Sequence, residues 1–225
     1  MARFVRSAPF RDRRDGGRKL AESNELRAYT GRDDAMVLAL PRGGVPVGYE
    51  VAQALGLPLD VFVVRKLGVP GHEELAMGAI ASGGVQVLEE EVVRRLDLDE
   101  ATIAAVAARE QQELEERERL YQDGSTVDLE GLSAILVDDG LATGSTMRAA
   151  VRALRSRDVD QAIVAVPVAP AESCRMLERE ADAVVCALTP EAFGAVGLYY
   201  ERFGQTTDEE VVELLERSRR PSADS

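Results

Sequence analysis

Short apolar runs alternate along most of the chain with segments whose apolar residues recur three and four positions apart. The runs are typical of strands buried on both faces, and the segments between them are typical of helices. Their alternation predicts parallel βαβ units with right-handed crossovers. We therefore expect an α/β fold with a central, mostly parallel sheet flanked by helices. The expected strands are Met36–Leu40, Val61–Val64, Ala134–Val137, Gln161–Val166 and Ala183–Ala187, and the expected helices between them are a helix ending near Leu55, Met147–Arg157 and Ala171–Glu180.

Residues 67–121 interrupt this rhythm. Residues 67–74 contain Gly, Pro and the single histidine and are expected to form a loop. A hairpin over residues 75–88 should turn at its paired glycines, which accept positive φ. A long helix over about 98–121 follows, with a possible capping box of Asp97 and Glu100. Its thin apolar stripe fits a mostly solvated helix packed along one seam, or an oligomer contact.

Two further helices are predicted near the chain ends. The first covers about Arg14 to Ala28, and the last runs from about Asp208 to Arg217, with frayed residues from Ser218 on. The N-terminus also concentrates basic side chains, and a solvated or loosely docked arm is the simplest interpretation. These side chains are Arg3, Arg6, Arg11, Arg13, Arg14, Arg18 and Lys19.

Composition narrows the class of protein. The 225 residues suit one domain, and 45% hydrophobic residues can fill a sizeable core. The net charge of −13 repels nucleic acid and anionic lipid at long range, so neither is an expected partner. No apolar run is long enough to cross a membrane, and the N-terminus has no apolar stretch of a secretory signal. Two cysteines, Cys174 and Cys186, indicate a reducing compartment and predict a cytoplasmic protein without a zinc site.

The segment that carries the most chemistry reads Ala134-Ile-Leu-Val-Asp-Asp-Gly-Leu-Ala-Thr-Gly-Ser-Thr146. A buried strand runs into Asp138 and Asp139, at the strand end where open α/β sheets bind ligands. Gly140 and Gly144 allow a tight turn whose N–H groups can converge on an anion. The hydroxyls that follow and the positive end of the next helix favour the same anion. The segment therefore suits a ribose 5-phosphate.

Two other phosphate-binding motifs fit this segment less well. A P-loop needs Gly-Lys-Ser/Thr at the start of the helix, and no lysine is present. A dinucleotide fingerprint needs its glycines directly after the strand, without intervening acids. An acidic pair at a strand end before a capped helix can also be purely structural, and it is the full ordered pattern that favours a binding site.

A second candidate loop, Leu40-Pro-Arg-Gly-Gly44, follows another predicted strand. Its glycines let the backbone approach an anion closely, and Arg42 can direct a guanidinium fork at phosphate oxygens. Arg65 and Lys66 end the next predicted strand and should face the same crevice. An ordinary turn and an ordinary strand exit remain the alternatives for these two segments.

The 134–146 segment resembles the signature for 5-phosphoribosyl pyrophosphate (PRPP) in the type I phosphoribosyltransferases, which is an apolar strand, two acids and a Thr-Gly-x-Thr loop. The resemblance covers nearly the whole chain and is strongest over 36–66 and 134–157. It implies the type I phosphoribosyltransferase fold in a single domain of residues 1–225. The core would span about 33–190, and a small hood would come from about 1–30 and 189–217, with a hairpin and flexible loop.

The resemblance also implies an enzyme that moves 5-phosphoribosyl from PRPP to a nitrogenous base or similar acceptor, releases pyrophosphate and uses Mg²⁺. In the family the two acids bind the ribose hydroxyls, and Asp138 and Asp139 can also hold Mg²⁺ through water. The implied PRPP-binding residues are Asp138, Asp139, Gly140, Leu141, Ala142, Thr143, Gly144, Ser145 and Thr146, of which Gly140 is smaller than the usual family residue. The implied pyrophosphate-binding residues are Arg42, Gly43, Gly44, Arg65 and Lys66. The implied catalytic residues are Asp138, Asp139, Arg42, Lys66 and His72, the last as a proton donor or pyrophosphate contact in a mobile loop.

The acceptor is the least determined part of this expectation. The segment Thr189–Thr207 concentrates aromatic residues that could stack a base or could anchor the last helix to the sheet. We favour the second alternative for Tyr200 and Phe203. No lysine follows Lys66, which argues against the 6-oxopurine reading of the family's purine enzymes. The expected partners are PRPP, a small nitrogenous acceptor and a second copy of the chain in a homodimer. The alternatives are a non-catalytic regulator that binds PRPP or a nucleotide and, more remotely, a phosphohydrolase or ribose-phosphate kinase relative.

Overall fold

The structure is a computed structural model that describes residues 9–121 and 127–220. The expectations for Arg3, Arg6 and the last residues, 221–225, lie outside this part of the chain.

A five-stranded parallel sheet forms the centre of the protein. The predicted α/β class and its parallel sheet are confirmed. Consecutive residues of one strand enter different cores, since Val37 packs on one face of the sheet and Leu38 on the other. This burial on both faces explains why the strands read as continuous apolar runs. The strands are β1 (Ala35–Ala39), β2 (Leu59–Val61), β6 (Ser133–Val137), β7 (Gln161–Val168) and β8 (Ala183–Leu188). Their order across the sheet is β2-β1-β6-β7-β8.

Eight helices and a short 3₁₀ helix lie among the described residues. The helices are α1 (Arg13–Ala21), α2 (Asn24–Arg27), α3 (Gly44–Leu55), α4 (Glu90–Arg95), α5 (Glu100–Tyr121), α6 (Ser145–Arg155), α7 (Ala171–Leu177) and α8 (Asp208–Arg219), with the 3₁₀ helix at Val196–Tyr199. On one face of the central sheet α3 packs against α1 and α8, and on the other face α6 and α7 cover β6, β7 and β8.

A separate antiparallel sheet of β3 (Val64–Val69), β4 (His72–Ala81) and β5 (Val85–Leu88) lies beside the central sheet. The predicted hairpin is confirmed, but the loop expected over 67–74 is wrong. The segment pairs with β4 and turns at Gly71, whose φ of 79° suits glycine. Its Gly and Pro content favours a loop locally, and tertiary pairing overrides that preference.

The N-terminal segment from residue 9 onwards is docked rather than solvated. Phe10 forms a β-bridge with Tyr200, and its buried ring lies 5.4 Å from the Tyr200 ring. The single helix expected over 14–28 is two helices, because the Ser23 side chain accepts from the backbone N–H of Leu26 and starts α2. The two ends of the described chain thus pack against each other.

The long helix α5 packs against β3 and α8, and Leu114 is fully buried in that seam. Its cap differs from the expected box, because Asp99 rather than Asp97 accepts from the N–H of Thr102, at 2.6 Å. At the other end of the chain, α8 continues to Arg219, two residues beyond the predicted end. The seam supports the predicted packing of α5, while the homodimer stays a prediction.

The two cysteines are free thiols on neighbouring elements, Cys174 on α7 and Cys186 on β8, with their sulfur atoms 2.6 Å apart. Within residues 9–121 and 127–220, no helix combines the length and the apolar character that a bilayer crossing requires.

Core packing leads to a stability prediction. Leu136, in the middle strand β6, is fully buried, whereas Leu198 is 70% exposed. We expect Leu136→Ala to lower the free energy of unfolding by about 2–5 kcal/mol, because it removes buried methyl groups and leaves a cavity. The same change at Leu198 should stay within about 0.5 kcal/mol of wild type. Urea denaturation measures both, and similar losses would contradict the assigned core.

Candidate functional site

The candidate site lies at the carboxyl edge of the central sheet, where β1 and β6 end side by side. Ala39 pairs with Val137, and the N–H of Leu40 donates to the carbonyl of Val137 at 2.8 Å. The two loops that follow these strands, residues 41–44 and 138–144, therefore leave the sheet next to each other. This juxtaposition agrees with the topology expected from the sequence.

Two glycines allow the loops to touch. A Cβ atom on Gly44 would lie 2.6 Å from the carbonyl oxygen of Val137 and 3.0 Å from the Cα of Asp138. A Cβ atom on Gly43 would clash with the Asp139 carboxylate. Because Gly44 faces backbone that cannot move aside, the glycine pair is a packing requirement of the site as well as a turn signal. The peptide bond between Pro41 and Arg42 is cis.

The two carboxylates occupy the end of β6 in unequal surroundings. Burial raises the pKa of Asp138 well above its usual range, and the adjacent Asp139 raises it further. A carboxylate oxygen of Asp138 accepts from the backbone N–H of Asp139 at 2.8 Å, which opposes this rise. Burial also raises the pKa of Asp139, and the nearby Arg13 opposes that change. The pair thus concentrates negative charge that a cation or a hydroxyl donor would stabilise.

Arg13, in the first turn of α1, is the cation that meets this charge. Its Nε donates to Oδ2 of Asp139 at 2.8 Å, and the two side chains are only 13% and 16% exposed. Another nitrogen donates to the carbonyl of Gly204 at 2.5 Å, and the guanidinium lies 3.9 Å from the ring centroid of Phe203. Arg13 therefore joins the carboxylate pair to both chain ends. Sequence reasoning grouped Arg13 with a solvated or loosely docked basic arm and missed this role.

Tyr200, in the C-terminal segment, contacts the backbone of the same acidic residue, Asp139. Its hydroxyl donates to the backbone carbonyl of Asp139 at 2.5 Å, and burial raises the pKa of this phenol above its ordinary value. The sequence favoured Tyr200 and Phe203 as anchors for the last helix. The structure instead packs Tyr200 between Phe10 and Phe203, with ring centroids 5.4 and 5.1 Å away. Nothing in the local pattern of this segment reveals that pairing.

The packing around Gly140 explains why this residue is smaller than the one usual in the family. Gly140 has a φ of 156°, and a Cβ atom there would lie 2.7 Å from Cγ1 of Val196 and 3.0 Å from Cγ1 of Val168. The 3₁₀ helix that contains Val196 fills the space that a larger residue at position 140 would need. The C-terminal segment therefore lies directly above the carboxylate loop.

The loop that follows β6 ends at the start of α6. Gly144 is the N-cap residue, with a φ of 72°, and it has no side chain to occupy the free N–H groups of the helix. The Thr143 and Ser145 hydroxyl oxygens lie 3.2 Å apart, and Ser173 braces the loop by donating to the Ala142 carbonyl at 2.7 Å. Open helix N–H groups beside clustered hydroxyls form an anion-binding arrangement.

Lys66 reaches this loop from the antiparallel sheet. Its Nζ lies 2.9 Å from Oγ of Ser145. A cavity of about 340 Å³ adjoins this contact, between α6 and the β3–β5 sheet. This position differs from the expected pyrophosphate contact, because Ser145 belongs to the segment that was expected to bind the ribose 5-phosphate.

Arg65 does not lie at the site, so its expected place there is corrected. Neighbouring residues of a strand point to opposite faces, and Arg65 points away from Lys66 towards α5. It donates to Glu110 at 2.7 Å and also pairs with Glu113. The two basic residues were expected to end a strand together, whereas they lie inside β3. We therefore remove Arg65 from the candidate pyrophosphate residues.

The structure links Arg42 and His72 less directly to the carboxylate pair than it links Arg13. Arg42 follows the cis bond in the glycine loop, and one guanidinium nitrogen lies 3.4 Å from Oδ2 of Asp208. His72 begins β4 and is exposed, and no contact among the described residues joins it to Asp138 or Asp139. Arg42 adjoins the carboxylate pair through Gly43, while a role for His72 stays a prediction.

The carboxylate pair fits the magnesium ion that the sequence resemblance implies. Mg²⁺ commonly takes one or two protein carboxylates and completes its shell with water and substrate phosphates. One oxygen of Asp138 and one of Asp139 are engaged by protein donors, which leaves one oxygen on each carboxylate. No cluster of three or more His, Cys, Asp or Glu in the described part of the chain offers a dedicated metal cage. The expected ion would therefore bind together with a phosphate-bearing ligand.

Comparison with known proteins finds a matching family model and similar chains. A family model described as "Phosphoribosyl transferase domain" matches residues 71–201. The Mycobacterium tuberculosis H37Rv protein named "Putative phosphoribosyl transferase Rv0571c" is 46% identical over 217 residues, 96% of this chain and 48% of its own length, and its counterpart in strain CDC 1551 matches equally. The chain thus spans about half the length of these relatives. The crystal structure of TT1426 from Thermus thermophilus is similar, with a TM-score of 0.82 and 42% identity, over 92% of this chain and 98% of that one.

The raised pKa of Asp138 leads to a pH prediction. The folded protein holds this proton at pH values where the unfolded chain, with a pKa near 3.8, has lost it. The contribution of Asp138 to folding stability therefore falls as pH rises above 3.8. We expect Asp138→Asn to raise the free energy of unfolding at pH 7 without Mg²⁺, by an amount that shrinks as pH falls towards 4.

Urea denaturation at several pH values measures this difference. Asp34→Asn is the control, because Asp34 is exposed at the other edge of the sheet and Arg32 lowers its pKa. No gain at pH 7 for Asp138→Asn, or an equal gain for Asp34→Asn, would contradict the prediction.

Proposed function

Because the chain belongs to the phosphoribosyl transferase domain family, we propose that it transfers 5-phosphoribosyl from PRPP to a nitrogenous acceptor, releases pyrophosphate and requires Mg²⁺. The observation that carries the proposal is the contact between two loops at the carboxyl edge of the sheet. One loop supplies two carboxylates and an open helix N-terminus, and the other supplies paired glycines and Arg42. Together they suit a ligand with a phosphate at each end of a ribose.

The ribose 5-phosphate half of PRPP would lie along residues 138–146. Asp138 and Asp139 would accept hydrogen bonds from the ribose hydroxyls, and charged acceptors make such bonds strong. The N–H groups at the start of α6 and the hydroxyls of Thr143, Ser145 and Thr146 would bind the 5-phosphate. Lys66 would add a full positive charge at Ser145.

The pyrophosphate half would lie over Gly43 and Gly44, with Arg42 directed at the leaving group. Bound Mg²⁺ would supply neutralisation of the charge that develops on pyrophosphate. The carboxylates would stabilise the positive charge that develops at C1 of the ribose as the bond to pyrophosphate breaks. The β3–β5 sheet, with His72 at its tip, would exclude water from this carbon.

The acceptor would enter from the side of the chain ends, where Phe203 and Arg13 lie next to Asp139. Aromatic and guanidinium planes at this position suit a flat nitrogenous ring. The identity of the acceptor is therefore a question for a panel of compounds.

Calorimetry with PRPP and Mg²⁺ tests the shared premise of binding. We expect Asp139→Asn to weaken PRPP binding by about tenfold or more, because it removes a charged acceptor for a ribose hydroxyl. Asp34→Asn makes the same change beyond the opposite edge of the sheet and should bind like wild type. Absence of PRPP binding to the wild-type protein would refute the proposal.

Release of pyrophosphate across a panel of nitrogenous bases tests catalysis. We expect release with at least one base, and loss of that release in Asp139→Asn. Silence across the panel from a protein that binds PRPP would instead support a non-catalytic, PRPP-binding regulator.

The opposite directions of Lys66 and Arg65 provide a matched pair of variants. We expect Lys66→Gln to weaken binding of ribose 5-phosphate by about tenfold, because it removes a cation next to the 5-phosphate. Arg65→Gln should leave this affinity unchanged and should lower the free energy of unfolding by about 1 kcal/mol or more, because Glu110 loses a partner while buried. Equal effects of both variants on ligand affinity would contradict the assignment.

A further inference from the structure

Three distant parts of the chain meet beside the glycine loop. Arg42 follows β1, Asp208 is the first residue of α8, and Tyr121 is the last residue of α5. Oδ2 of Asp208 lies 3.4 Å from a guanidinium nitrogen of Arg42, and Oδ1 of the same carboxylate accepts from the Tyr121 hydroxyl. The Asp208 carboxylate thus links the Tyr121 hydroxyl to the Arg42 guanidinium.

Asp208, the middle residue of these contacts, is held in place by α8. The Thr207 side chain accepts from the N–H of Glu210 at 3.2 Å and caps α8 one residue before Asp208. Val211, Leu214 and Leu215 are buried, so the helix is packed against the rest of the protein. The position of Asp208 is therefore set by the packing of α8.

Tyr121 fixes the carboxylate from the other side. It is almost fully buried, and burial together with Asp208 raises its pKa to about 12. The phenol thus stays protonated and acts as a donor at ordinary pH. A carboxylate that accepts from both neighbours has little freedom to rotate.

Arg42 keeps donors for another partner. A guanidinium has five N–H donors in a rigid fork, and the contact with Asp208 uses only one of its nitrogens. The Arg42 side chain is about one third exposed, so its other donors are accessible. A held guanidinium loses less conformational entropy when it binds phosphate oxygens than a free one does.

We propose that Asp208 is a positioning residue for Arg42, fixed by the Tyr121 hydroxyl, and that it orients the guanidinium towards the pyrophosphate group. This inference rests on the proposed function, because it assumes that pyrophosphate binds at the glycine loop. It makes the pyrophosphate half of the site depend on α5 and α8, while the ribose 5-phosphate half depends on β6 and α6.

The competing hypothesis is that Asp208 weakens pyrophosphate binding. A carboxylate near an anion site repels the anion, and it can also compete for the arginine. If Asp208 acts only in this way, its neutralisation will tighten pyrophosphate binding. If it positions Arg42, its neutralisation will weaken that binding even though it removes a negative charge. The sign of the change therefore decides between the two.

Calorimetry with two separate probes, pyrophosphate and ribose 5-phosphate, each with Mg²⁺, tests this proposal. We expect Asp208→Asn and Tyr121→Phe each to weaken pyrophosphate binding by about fivefold, and the double variant to lose no more than Asp208→Asn alone. Ribose 5-phosphate binding should remain at the wild-type value in all three. Glu209→Gln removes the same charge from the same helix turn without a hydrogen bond to Arg42, and it should not weaken pyrophosphate binding.

Unchanged or tighter pyrophosphate binding by Asp208→Asn would overturn the inference. Equal loss of both ligands would also overturn it, because that pattern indicates general damage to the site. Failure of the proposed function has a different signature, since the wild-type protein would then bind neither probe.

Discussion

The close contact between the loops after β1 and β6 is the constraint on which the candidate site depends. Parallel neighbours end at the same edge of the sheet, and glycines at 43 and 44 remove the side chains that would separate the loops. A larger residue at position 44 would meet the backbone of β6, which is fixed by hydrogen bonds on both sides. The central sheet thus determines the distance between the glycine loop and the carboxylates.

The same contact concentrates charge that the rest of the chain must balance. Burial makes both carboxylates costly to ionise, and the charge of Asp139 adds to that cost for Asp138. Arg13 reduces that cost for Asp139 and is itself held by Gly204 and Phe203. The packing of the chain ends and the electrostatics of the candidate site are therefore linked, and burial of Asp138 has a cost in folding stability at neutral pH.

Local patterns predicted the order of elements well, because buried parallel strands and covering helices have different periods. They failed over residues 67–74, where pairing with a neighbouring strand outweighed a Gly- and Pro-rich composition. They also placed Arg65 and Lys66 together at one strand end. The residues lie within a strand whose alternation sends them to opposite faces, and that alternation could have been recognised only once the strand was known.

The sequence by itself determined the α/β fold, the two loops and the residue types that suit a phosphorylated ribose, since each depends on neighbours in the chain. Only the tertiary structure decided which distant side chains complete the site. Arg13 reaches Asp139 across 126 residues, and Asp208 reaches Arg42 across 166. Such contacts depend on how helices pack on the sheet, and no local period or spacing records that packing.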